Sequence, residues 1–124
     1  MNAHSQAIAG YTTQNAPIRT NRGTEYEVFS KITNNLRTAA LQGKQGFPAL
    51  ADAIHKNRKL WTILATEVAG DGNTLSKDLR ARIFYLAEFT QNYSPKVLRS
   101  GASVAPLIEI NAAIMRGLAG GGLK

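Results

Sequence analysis

The chain contains no cysteine. It can therefore form no disulfide, offer no thiolate to a metal and supply no cysteine nucleophile, and it suits a reducing compartment. Acidic residues are scarce: eight Asp and Glu against fifteen Lys and Arg give a formal net charge of +7. Histidine occurs only at His4 and His55, and neither has a second histidine or a carboxylate at ligand spacing, which argues against a metal site. No uninterrupted apolar run approaches the ~18 residues of a membrane span. Met1 to Tyr11 lacks the basic start and long apolar stretch of a secretory signal. The Asn92-Tyr93-Ser94 sequon is accordingly read as accidental, and the expected compartment is the cytoplasm.

Catalytic motifs are missing as well. Gly43-Lys44-Gln45-Gly46 is no phosphate loop, because the Gly-x-x-x-x-Gly-Lys-Ser/Thr pattern and a preceding strand are both absent. Gly70-Asp71-Gly72-Asn73 lacks the alternating aspartates and terminal glutamate of a calcium loop. There is no Gly-x-Ser-x-Gly elbow. Glu67 and Asp71 stand four apart, but Asp71 falls in a turn and the pair reads as solvated. Glu25 and Glu27 flank a helix start, where the helix dipole stabilises anions. The chain is read as a non-enzyme without cofactor or metal.

What is present is helix. At 124 residues and 44% hydrophobic, the chain is one ordinary globular domain. Residues 2–14 place Ala3, Ala7, Ile8 and Tyr11 on one side of a short N-terminal helix, a length marginal in isolation. Asn15 to Gly23 reads as a linker, since Pro17 disfavours helix at Ala16 and no periodicity follows. Thr24 and Glu27 form a capping box for a helix to about Leu41, with Tyr26, Phe29, Ile32, Leu36 and Ala39 or Ala40 inward. Phe47-Pro48 opens the next helix, whose stripe is Leu50, Ile54, Trp61, Leu64 or Ala65, and Val68. Asn57 interrupts that stripe; an amide there is expected to bond a neighbouring helix.

Ser76 is the expected cap of the central helix, with Asp78 in its first turn. Leu79, Ile83, Leu86, Thr90, Tyr93 and Val97 form its seam, stepping by threes and fours. Phe84, Tyr85, Ala87, Phe89 and Leu98 widen the apolar surface beyond a two-position stripe, so this helix must be covered by its own domain or by a partner. Pro95 is expected to kink or restart the helix, and Gly101 to end it. Ser103 caps the last helix, where Val104, Leu107, Ile108, Ile114, Met115 and Leu118 share a face that Asn111 interrupts. No segment alternates as a strand does. The expected fold is all-α: a compact bundle of four principal helices over residues 24–118, preceded by a short, mobile N-terminal piece (1–23) and followed by a flexible tail (119–124).

Two functional classes fit. Partly uncovered aromatics could form a groove for an apolar segment of another protein. Alternatively, the cations could bind RNA phosphates, although they are dispersed from Arg19 to Lys124 and the densest cluster is only Lys56, Arg58 and Lys59. For any single aromatic, the simplest reading is that it fills the core.

Ordered sequence blocks shift this balance. Residues 15–29 (NAPIRTNRGTEYEVF), Phe47-Pro48-Ala49-Leu50, Asn57-Arg58-Lys59-Leu60-Trp61, residues 80–90 (RARIFYLAEFT) and residues 110–118 (INAAIMRGL) resemble, in order, the FlaF family of alphaproteobacterial flagellar biosynthesis regulators. The resemblance implies a small cytoplasmic flagellin chaperone that promotes flagellin synthesis or secretion. Its partners would be flagellin and the translation regulator FlbT. Direct control of flagellin mRNA is the alternative. The expected partner-contacting residues are Trp61, Phe84, Tyr85, Phe89 and Tyr93, with Arg58, Arg19 and Arg22; the last two either clamp carboxylates or are solvated linker charges.

Overall fold

The computed structural model describes residues 21–70 and 72–119. The helix expected over residues 2–14, most of the linker that follows it, and the Gly120-Gly121-Gly122 stretch lie outside the described residues. Four helices account for almost everything described: α1 (Asn21–Leu41), α2 (Phe47–Ala69), α3 (Lys77–Ser100) and α4 (Ala105–Ala119), with a 3₁₀ turn at Gly43–Gly46 joining α1 to α2. The described residues contain no strand. Short connections make α1 and α2, and α2 and α3, antiparallel neighbours. Helix α2 packs against both α1 and α3, α4 packs chiefly on α1, and α3 touches α4 only lightly.

Helix α1 is already helical at Asn21, so Thr24 and Glu27 lie within it and the capping box does not start it. Its inner face also differs from expectation. Val28 and Thr33 are buried with Phe29, Ile32, Leu36 and Ala39, whereas Tyr26 is exposed. Facing both α2 and α4, α1 buries a wider arc than one stripe supplies, and Thr33 enters the core because a polar partner waits there.

The turn between α1 and α2 depends on Gly46. This glycine is buried, and its backbone is ordinary (φ −85°), so space rather than conformation requires it. A Cβ there would be driven into the Ala39 carbonyl oxygen and the Gln42 side chain. Pro48 occupies the first turn of α2, as expected. At the other end, Asn73 organises the α2–α3 loop: its amide donates to the Glu67 carbonyl (3.3 Å) and its oxygen accepts from the Leu75 N–H (3.0 Å).

Ser76 caps α3 by accepting from the Leu79 N–H at 3.2 Å, with Asp78 in the first turn. Contrary to the expected kink or restart, α3 runs unbroken through Pro95 to Ser100 and stops at Gly101, whose φ of 70° is left-handed. Ser103 lies just ahead of α4, where its hydroxyl accepts from the Ala105 N–H at 3.1 Å.

The core centres on Trp61, which is fully buried and meets Phe29 edge to face, with ring centroids 5.6 Å apart. Around it sits a polar knot. Trp61 Nε1 donates to Asn111 Oδ1 (2.9 Å), while Asn111 Nδ2 donates to Thr33 Oγ1 (3.1 Å) and Asn57 Oδ1 (2.8 Å). All four side chains are shut off from solvent. An indole N–H can only donate, so it fixes which end of the Asn111 amide faces it. The two asparagines that interrupt apolar stripes therefore interrupt them to meet each other. Asn111→Ala is expected to lower the unfolding free energy by about 3 kcal/mol, because it strands several buried polar groups. Gly46→Ala should lose about 1–3 kcal/mol through overpacking. Urea denaturation measures both, and a loss below about 1 kcal/mol for Asn111→Ala would show that the knot is dispensable.

Candidate functional site

Helices α2 and α3 leave an open groove of about 620 Å³ on their outer side. From α2 come Thr62, Ala65, Thr66, Ala69 and Gly70, and from α3 come Phe84, Ala87, Glu88, Gln91 and Asn92. Alanines and threonine methyls keep the walls low. Phe84, 45% exposed, is the one large apolar side chain in the lining, and Glu88 is its one charge.

One end of the groove is latched. Arg58 Nε donates to Gln91 Oε1 (3.0 Å), and Gln91 Nε2 donates back to the Arg58 carbonyl (2.9 Å) and to Thr62 Oγ1 (2.9 Å). Arg58 Nη2 reaches the Gln91 carbonyl as well, at 3.4 Å. That carbonyl is available because of Pro95: four residues on, proline has no N–H to offer it. The arginine of one helix thus supplies a donor that the proline of the next withholds. This explains how α3 continues through Pro95.

The aromatics expected to share a groove are dispersed. Trp61 does not line it: the indole is the centre of the core and is held by Asn111. Phe84 does line it. Tyr85, one residue on and thus about 100° around the helix, is 67% exposed and points elsewhere. Phe89 and Tyr93 are half-buried and stack on each other at 5.2 Å, and the Tyr93 hydroxyl donates to the Ser103 carbonyl at 2.6 Å, bracing the α3–α4 turn. Arg58 faces α3 rather than open solvent. Arg19 lies outside the described residues, and Arg22 falls in the first turn of α1.

Sequence reasoning missed Thr62, Gln91 and the small residues of the groove. Two signals were available: Ala65 and Ala69 recur at one-turn spacing, and Gln91 stands four residues before a proline inside an apolar helix. His55 is exposed on α2, and among the described residues no cluster of His, Asp and Glu is arranged to hold a metal ion. No described helix is long and apolar enough to cross a membrane.

Fold and site together define a small all-α bundle with an open, largely apolar groove between two of its helices. The sequence model of the flagellar protein FlaF family matches residues 7–118, and the chain belongs to that family. It is thus a flagellar protein involved in flagellum biosynthesis, from a regulatory family not known as enzymes. No curated protein and no solved structure matches it.

The latch predicts coupling between Arg58 and Pro95. Arg58→Ala should cost about 1 kcal/mol in the native background and about 0.5–1 kcal/mol less in a Pro95→Ala background, where the restored backbone N–H bonds the Gln91 carbonyl. A double-mutant cycle by urea denaturation reads this difference; strictly additive losses would contradict the assignment.

Proposed function

We propose that the chain is a flagellin-binding secretion chaperone and regulator of flagellum biosynthesis, acting in the cytoplasm before export. The α2–α3 groove would receive an apolar helical segment of unassembled flagellin. The observation that carries this reading is Phe84, a large aromatic held out of the core at the edge of a trough floored by alanine. Leaving such a side chain half in water forgoes burial worth about 1.5–3 kcal/mol, and a partner helix recovers it. The shape suits helix-in-groove recognition, in which one apolar stripe of the guest supplies the contact. Flagellin's terminal segments form coiled-coil helices in the filament, and before assembly their apolar faces need temporary cover. FlbT is the second proposed partner, linking cargo occupancy to flagellin translation.

The test is co-elution of the purified protein with unassembled flagellin. Phe84→Ala should weaken binding about tenfold, equivalent to about 1.4 kcal/mol, while the melting temperature stays near native. Tyr85→Ala, on another face, should change binding far less. Trp61→Ala should abolish it only by unfolding the bundle, with a loss of about 3–5 kcal/mol. Undiminished flagellin binding by a folded Phe84→Ala protein would rule out the groove. Binding to a flagellin leader RNA that weakens steeply with salt would instead favour direct action on the message.

A further inference from the structure

Leu41, 88% exposed, and Phe47, 47% exposed, flank the 3₁₀ turn that joins α1 to α2. A single exposed leucine is ordinary, but these two stand at an end of the bundle that carries charge of one sign. The bonds between Arg58 and Gln91 mark a common level on α2 and α3. From that level Phe47 lies eleven residues back along α2 and Arg99 eight residues on along α3, about 16 Å and about 12 Å in the same direction. The last turn of α3 thus shares an end with the α1–α2 turn, and α4 starts there too. Residues 37–51 and 96–108 form this end. Arg37, Lys44, Lys96 and Arg99 are all exposed on it, and none of the chain's eight acidic residues falls in either stretch. The nearest carboxylates are Asp52, bound to Lys56 at 3.0 Å, and Glu109, a turn further along α4. The opposite end mixes signs, with Lys77, Arg80 and Arg82 near Glu67 and Asp78.

We propose that this end of the bundle docks on an anionic lipid bilayer. Leu41 and Phe47 enter the headgroup boundary, and Arg37, Lys44 and Arg99 meet the lipid phosphates, with Lys96 a turn behind. The four cations and two apolar side chains come from separate elements and share an end rather than a recess, a layout that a flat surface meets all at once. A leucine as exposed as Leu41 lies in no pocket, so a rigid protein partner would have to supply one, whereas a bilayer closes around whatever protrudes. Apolar insertion and attraction to anionic headgroups add, and long basic side chains keep their charge at the headgroup level while their stems are covered. Thr62, where the groove begins, is fifteen residues or about 22 Å along α2 from Phe47, so docking leaves the groove open. The proposal does not rest on what the groove holds.

The test floats the full-length protein with vesicles of phosphatidylcholine, alone or with about one-third phosphatidylglycerol. Binding should be at least about tenfold tighter to the anionic vesicles and weaken as salt rises. Leu41→Ser with Phe47→Ser should weaken it about tenfold, and so should Lys44→Glu with Arg99→Glu. Arg82→Glu with Arg116→Glu, the same change in net charge at the other end, should weaken it about twofold at most. Because the chain lacks cysteine, an environment-sensitive dye on Leu41→Cys reports without background: its emission should shift to the blue on anionic vesicles, while the same dye on Tyr85→Cys should not respond. Leu41 is so exposed that its replacement leaves the fold intact, which circular dichroism checks. Absence of binding to anionic vesicles, or equal loss from the two charge reversals, would overturn the proposal, the latter by showing attraction to net charge alone. So would vesicle binding that survives Leu41→Ser with Phe47→Ser while flagellin co-elution is lost, since the end would then be a protein-docking surface. The vesicle measurements contain no flagellin, so their failure is separable from failure of the chaperone reading.

Discussion

Everything in this bundle is arranged around the side-chain amide of Asn111. It is the point at which α1, α2 and α4 are joined by directional bonds, through Thr33, Asn57 and Trp61. Apolar packing alone tolerates sliding, since one leucine resembles the next. A buried amide does not, because a bond lost in the interior costs more than a bond made there contributes. Slipping α4 by one turn would bring Leu107 or Met115 opposite the Trp61 N–H and leave that donor empty. The knot therefore sets the register of α4 as well as adding stability.

Helix α3 stands outside that knot and is held differently. It meets α4 only lightly and rests on α2, to which the Arg58–Gln91 bonds tie it. Between them, the proline and the arginine fix the relative position of α2 and α3 along the lower border of the groove. A site built on two helices needs such a tie, since its width is the distance between them.

The helices were legible in the sequence because each has a periodic stripe and most have a readable start or stop. Ser76 and Gly101 bound α3 as their chemistry requires. Periodicity reports the inward face but not how wide it is, which is why Val28 and Tyr26 changed places. Asn57 was legible as a bonded amide, whereas its tie to Asn111 was not, since a partner fifty-four residues away leaves no local trace. Pro95 was read from its own ring, and the compensation came from another helix. The site was less legible still. Counting aromatics pointed to Trp61, Phe84, Tyr85, Phe89 and Tyr93, of which only Phe84 lines the groove; a concavity is defined by what is small, and alanines attract little notice in a sequence. Family membership was readable because ordered blocks span most of the chain.

The alanine floor decides how near a guest's backbone can come. Helices separated by large side chains sit about 10 Å apart, whereas methyl groups permit about 8 Å. At Ala65, Ala69 and Ala87 the host contributes almost no thickness, so the guest's own residues set the gap. A helix bearing glycine, alanine or serine at one-turn intervals would nest deeply, whereas a branched side chain in the same place would act as a spacer and lift the guest away from Phe84. On the proposed reading of the groove as a helix-binding site, it would gauge bulk along a guest's stripe, discriminating by thickness rather than by charge.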